Sequence, residues 1–120
     1  MDAKSAIRWV RKNAKRLGID PKKVIAGGGS AGGHLAAAVA TLPEFDEQGE
    51  DTSISCIPNG LLLFNPALDL RHEAFNVEQD SEGYQDILSR LGTNPENISP
   101  TLNMREKAPP TIIFHGEDDP

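Results

Sequence analysis

The sequence holds a single cysteine, Cys56, among its 120 residues. That excludes an internal disulfide, and no cysteine–histidine spacing resembles a metal site, so a buried spectator thiol is the default. Aromatic residues are few, at 5%. No apolar run approaches the roughly 18 residues of a membrane-spanning helix, and Met1 opens no visible signal peptide. Basic residues are in deficit, 12 Lys and Arg against 18 Asp and Glu, for a net charge of −6. Eight of the 12 fall within residues 1–23, where they sit at helical spacing around an apolar stripe with little aromatic interleaving. A solvated helix face fits that pattern better than a nucleic-acid arm.

What is present is enough for a core: 38% hydrophobic residues and 11 glycines, ordinary for a globular domain. Asp2 is a plausible N-cap, and Ala6, Ile7, Val10, Ala14 and Leu17 recur every 3.6 residues, which predicts a helix over about 3 to 17. Gly18 stops it, Ile19 suits the position after a glycine C-cap, and Asp20-Pro21 turns the chain. Val24 to Gly27 then reads as a strand. After it come a glycine-dense break and a helix in which Gly33, Ala36, Ala37 and Ala40 form a small-residue face suited to close packing on a sheet.

Inside the break, Gly28-Gly29-Ser30-Ala31-Gly32 matches Gly-x-Ser-x-Gly, a sharp strand-to-helix turn that lifts a serine clear of the sheet edge. Side chains at Gly28 and Gly32 are expected to collide there. Ser30 is the candidate nucleophile, and the Ala31 N–H, at the positive end of the following helix, is the candidate oxyanion donor. The same residues also satisfy Gly-x-Gly-x-x-Gly as Gly27, Gly29 and Gly32, a dinucleotide-type phosphate loop. A glycine turn whose serine merely caps the helix is a third reading. His34, only four positions from Ser30 on the same segment, reads as a packing or hydrogen-bonding histidine.

Pro43 to Asn59 is polar and reads as a surface connection. Gly60 to Phe64 is apolar throughout, as a central parallel strand is, and Asn65-Pro66 closes it. Ala67 to Pro110 is a polar excursion with one helical stretch near Tyr84 to Leu91 and turn signals at Gly92 to Pro95; such a length covers or shapes a site, or is a variable insertion. Spacing assigns no task to Arg71, His72, Phe75 or Tyr84. Asn97-Ile98-Ser99 fits a glycosylation sequon. Thr111 to Phe114 is a third buried-strand run, followed by His115-Gly-Glu-Asp-Asp-Pro120. Strands separated by crossovers predict an α/β parallel sheet with its site beyond the carboxyl ends of the strands.

A Gly-x-Ser-x-Gly elbow after one strand, with a carboxylate cluster after a later one, resembles the α/β-hydrolase fold. The elbow Gly-Gly-Ser-Ala-Gly-Gly-His-Leu-Ala is similar to that of the esterase and lipase branch related to hormone-sensitive lipase and to bacterial acetyl-sugar esterases. It departs at Gly29, where the wider lipase branch often has Asp. The ending Pro-Pro-Thr-Ile-Ile-Phe-His-Gly-Glu-Asp-Asp-Pro is similar to the fold's acid-bearing strand, and Gly18 to Pro21 resembles the segment before the elbow strand. The resemblance implies an α/β class, a partial α/β-hydrolase fold with a parallel sheet of about three strands and flanking helices over residues 1–120.

It also implies that Asp119 is the catalytic acid. A catalytic histidine is expected on a later loop and a His-Gly-Gly-type oxyanion loop before the first helix, because His34, His72 and His115 do not match the family's histidine position. The sequence therefore reads as the central portion of a larger hydrolase, inactive by itself. The implied reaction is hydrolysis of a small-molecule carboxylic ester, short-chain acyl or acetyl, through a serine acyl-enzyme, with no metal or cofactor, no nucleic acid and no membrane span. Localisation and oligomeric state are not read. Two other classes stand beside it. A nucleotide-binding α/β domain wants an acid about 20 residues past the glycines, whereas Glu50 and Asp51 fall in a loop. A non-catalytic α/β interaction domain would keep the elbow as a relic.

Overall fold

The computed structural model describes residues 1–42, 44–104 and 106–119. In place of one helix over 3 to 17 there are two, α1 (Asp2–Lys12) and α2 (Ala14–Leu17). Asn13 is the cause. Its side-chain Nδ2 donates to the Trp9 carbonyl at 2.8 Å, alongside its own backbone N–H at 3.0 Å, and a side chain competing for a backbone acceptor interrupts a helix. Asp2 lies in the first turn of α1, and Met1 holds the N-cap position instead. Gly18 ends α2 in the left-handed region at φ 69°, with the Ile19 N–H bonded back to the Ala14 carbonyl at 3.1 Å, as a glycine stop requires.

The basic face of α1 is not simply solvated. Lys4 and Arg8 are buried, with Arg8 Nη1 2.6 Å from Glu50 Oε2, Nη2 2.7 Å from Asp46 Oδ1, and Nε donating to the Ile54 carbonyl at 3.0 Å. Arg11 donates to the carbonyls of Ser55 (2.9 Å) and Ile57 (2.7 Å). The 44–59 connection has few apolar side chains to bury, so guanidinium donors from α1 hold it down. Arg8 also keeps the Asp46 carboxyl below the usual carboxylate range.

Strands β1 (Ile25–Gly29), β2 (Gly60–Phe64) and β3 (Thr111–Phe114) form a parallel sheet in the order β1-β2-β3. β1 runs on through Gly28 and Gly29, which pair with Leu63 and Phe64; glycines carry no hydrophobic pattern, yet their backbones complete the ladder. The helix α3 (Ala31–Thr41) sets Ala36, Ala37 and Ala40 against Leu61 and Leu63, forming the core. Small side chains let helix and sheet approach closely.

β2 is the middle strand, as its composition predicts. β3 departs from expectation: it is exposed along its whole length, with Ile112 at 59% and Phe114 at 54%, because among the described residues little but β2 packs on it. Phe64 and Phe114 stack at 5.3 Å between ring centroids on the face away from α3. The excursion holds α4 (Glu82–Leu91), the short α5 (Pro95–Ile98) and two 3₁₀ turns, His72–Phe75 and Pro100–Asn103. Among the described residues no helix is long and apolar enough to cross a membrane.

Candidate active site

Gly29, Phe64 and Phe114 are in register, so the three strands end level and the residue after each lies on one row. The ladder extends along that row: the Ser30 N–H donates to the Phe64 carbonyl at 3.0 Å and the Asn65 N–H to the Phe114 carbonyl at 2.8 Å. Ser30 adopts φ 50°, ψ −120°. A non-glycine residue there is strained by about 1–3 kcal/mol and persists only where its surroundings over-determine it.

Those surroundings are backbone contacts. A Cβ on Gly28 would lie 2.6 Å from the Gly32 carbonyl carbon, and one on Gly33 would lie 2.8 Å from Pro66 Cβ and 3.0 Å from the Gly28 oxygen. Gly32 corrects the expectation of a collision: a Cβ there meets nothing within 4 Å among the described residues. Gly32 contributes the backbone that Gly28 abuts, and its own Cβ direction is open.

Ser30 holds the N-cap position of α3, yet its side chain makes no cap hydrogen bond. Its φ is also far from the extended conformation of a capping serine. The turn therefore has elbow geometry and not that of a cap, with the hydroxyl left unengaged among the described residues. Ala31, first in α3, has no intrahelical acceptor for its N–H. In the Gly-x-Gly-x-x-Gly alternative, Gly27 is occupied by sheet packing, since a Cβ there would lie 2.6 Å from the Leu62 oxygen. Glu50 is paired with Arg8, and Asp51 accepts from the Ser53 N–H at 3.0 Å, both ahead of β2.

Asp119 lies in an exposed turn after β3, its N–H donating to the Gly116 carbonyl at 3.2 Å. Its Oδ2 accepts from Asn65 Nδ2. Among the described residues neither Glu117 nor Asp118 has a side-chain partner, so of the three carboxylates Asp119 is the one tied to the neighbouring strand end. Pro120, which follows it, lies outside the described residues. Asn65, which sequence reasoning treated only as a strand terminator, joins the candidate site through its contact with Asp119. The available signal was an asparagine, which tolerates positive φ, immediately past a buried strand.

The three histidines are engaged elsewhere. His34 Nε2 lies 2.8 Å from the Ile98 carbonyl, which makes it the hydrogen-bonding residue expected. His72 Nδ1 is 3.2 Å from the Val77 carbonyl, and His115 Nε2 is 3.2 Å from the Asp119 backbone carbonyl. The excursion is fastened to the elbow by the His34–Ile98 bond and by the Ala67 N–H, 3.5 Å from the Ser30 carbonyl.

Ser99, the serine of the sequon, is fully buried: its Oγ accepts from the Leu70 N–H at 2.9 Å and donates to the Pro95 carbonyl at 2.7 Å. That accounts for Ser99 structurally. Tyr84 donates to the Leu70 carbonyl at 3.0 Å, and burial pushes its hydroxyl pKa up. Arg71 is paired with Asp69 at 2.7 Å and holds that carboxyl low. Among the described residues no group of three or more His, Cys, Asp or Glu is placed to hold a metal ion.

Similarity to known proteins agrees with this geometry. Esterase LipQ of Mycobacterium tuberculosis is 32% identical over all of this chain, which spans 30% of LipQ. Among solved structures, Thermogutta terrifontis esterase 2 phosphonylated by sarin superposes with a TM-score of 0.84 at 47% identity, over 98% of this chain and 43% of that one. Its propionate-bound form gives a TM-score of 0.76 at 50% identity, over 95% and 40%. The chain thus spans well under half the length of these relatives. The family model named BD-FAE matches residues 1–120, so the chain belongs to the BD-FAE family and, like the esterases it superposes on, carries part of an α/β-hydrolase fold.

Proposed function

We propose that this chain supplies the nucleophile and the acid of a serine carboxylic ester hydrolase, within a longer protein that supplies the histidine. The observation that carries the reading is Ser30 itself: a non-glycine residue at φ 50°, hydroxyl unengaged, at the N-terminus of α3 and on the same row of strand ends as the Asp119 turn. In the reaction, Ser30 Oγ attacks the ester carbonyl carbon while the histidine takes its proton. The oxyanion is met by the Ala31 N–H and by a second donor from a loop outside these residues. Collapse expels the alcohol, which takes its proton from the imidazolium, and water repeats the sequence on the acyl-enzyme to release the acid and free serine. Asp119 orients the imidazole and stabilises its cation.

Sarin-phosphonylated esterase 2 supports nucleophilic chemistry in this family, since phosphonylating agents trap an activated nucleophile in a tetrahedral state like that of acyl transfer. Its propionate-bound form supports a short acyl group. A serine-directed phosphonate applied to the full-length protein is expected to label Ser30 and none of Ser5, Ser53 or Ser55, and Ser30→Ala to cut turnover at least about ten-thousandfold. Labelling that survives Ser30→Ala would sink the assignment.

A further inference from the structure

Two adjacent strand ends carry the same anomaly. Ser30 and Asn65, each the first residue past its strand and neighbours on one row, are both non-glycine residues at positive φ, 50° and 43°. At Ser30 such a φ is strained; at Asn65 it is one that asparagine tolerates, and in both it sets where the side chain leaves the strand end. The first case is the nucleophile; the second has no role yet.

The contacts of Asn65 indicate one. Its backbone N–H is fixed to the Phe114 carbonyl at 2.8 Å, and its Nδ2 donates to Asp119 Oδ2. The amide orientation follows from chemistry, because the reversed amide would set its oxygen against a carboxylate oxygen, two acceptors with no proton between them. The turn is packed around that amide: a Cβ on Gly116 would sit 3.5 Å from Asn65 Nδ2 and 3.6 Å from Asp119 Cβ. On the other side, Pro66 abuts Gly33 and the Ala67 N–H approaches the Ser30 carbonyl. The segment 65–67 therefore touches the nucleophile turn through Pro66 and the Ala67 N–H, and the acid turn with its one polar side chain.

We propose that Asn65 is the positioning residue of the acid. By occupying Oδ2 with a neutral donor, it fixes the carboxylate plane of Asp119 and leaves Oδ1 as the acceptor for the imidazole. This rests on the assignment of Ser30 and Asp119 above. An amide suits the task because it donates without adding charge. A lysine there would neutralise the carboxylate that must stabilise the imidazolium, and a second carboxylate would add to it. The other ionisable groups of the turn are His115, Glu117 and Asp118, of which His115 has a ring nitrogen against the Asp119 backbone carbonyl.

The test uses two variants of the full-length protein chosen for that backbone. Asn65→Gly removes the amide while keeping the positive φ without strain, and Asn65→Asp is isosteric and nearly as tolerant of that region. Loss of a hydrogen bond to a charged group predicts that Asn65→Gly lowers kcat roughly 10- to 100-fold with KM changed less than about threefold. The acid limb of its kcat/KM profile moves to lower pH, because the imidazolium loses a fixed partner. Asn65→Asp moves the same limb to higher pH through added negative charge. A merely structural role would alter yield and melting without moving the limb in opposite directions.

If Asn65→Gly keeps kcat within threefold, or if both variants leave the limb in place, the proposal is overturned. Should Asn65→Gly fail to fold, Asn65→Asp decides alone by kcat, since it too removes the donor to Oδ2: a loss under about threefold overturns the proposal. Phosphonate labelling of the parent separates the two levels: an unlabelled Ser30 removes the nucleophile and this proposal together. Labelling with a silent Asn65→Gly removes only this one.

Discussion

The two halves of the site are built by opposite means. The nucleophile turn is shaped by backbone against backbone: Gly28 on Gly32, Gly33 beneath Pro66, the Ser30 N–H on the neighbouring strand. Its geometry needs no side-chain hydrogen bond, and its weakness is a Cβ added at Gly28 or Gly33. The acid turn is exposed, follows a strand that little but β2 packs against, and is held by one turn hydrogen bond, the His115 ring nitrogen against the Asp119 carbonyl, and the Asn65 side-chain amide. It depends on polar contacts, of which only the amide reaches the Asp119 carboxylate. Steric definition and hydrogen-bonded definition fail under different substitutions, which makes the contrast testable.

The sharpest break comes at the elbow glycines. Gly28→Ala forces a Cβ to within 2.6 Å of backbone that cannot rotate away, so it is expected to cost at least about 3 kcal/mol in chemical unfolding and to remove activity with it. Gly32→Ala points into open space and lies in the first turn of a helix, so it should stay within about 1 kcal/mol of the parent. Comparable losses from the two would mean that the steric account is misplaced.

At the acid turn, charge matters. Asp119→Asn is expected to reduce turnover at least roughly a hundredfold, about 2.7 kcal/mol, while Asp118→Asn and Glu117→Gln stay under about tenfold. A crippled Asp118→Asn beside a mild Asp119→Asn would shift the assignment by one residue and detach it from Asn65.

The smallest effect is expected at the far side of the chain, where Arg8 holds Asp46. A carboxyl whose folded pKa is lowered adds stability above its unfolded value of about 4, and that stability is lost as pH falls through the folded value. Asp46→Asn should therefore lower the melting temperature by a few degrees near neutrality, about what a pair with a part-exposed carboxylate supports. The gap should close as pH falls through that folded value. A gap that persists in acid would assign the loss to packing.

The sequence signals that succeeded were those carried by hydrophobic runs or by glycine. Gly60 to Phe64 and Thr111 to Phe114 are strands with the expected ends, because three or four consecutive apolar residues between turn formers have few other fates. The elbow was legible because its spacing encodes a steric requirement. Residues whose behaviour depends on partners distant in sequence were not legible: Lys4 and Arg8 are buried only because the 44–59 connection supplies acceptors, Asn13 breaks a helix with its own amide, and Asn65 has meaning only beside a turn 54 positions later. Gly32 was over-read, since a pattern gives the identity of a residue but not the direction of its missing Cβ.

The level ends of the three strands make the sheet a ruler. Adjacent parallel strands are about 4.8 Å apart, so two spacings set the distance from the Ser30 row position to that of the acid turn, whatever the intervening chain does. The forty-odd residues between Ala67 and Pro110 could be shortened, regrafted or exchanged for those of a relative, and the gap that an imidazole must fill would keep its width. The spacing between the two turns is thereby set by the pitch of the sheet and not by the length of the chain that joins β2 to β3.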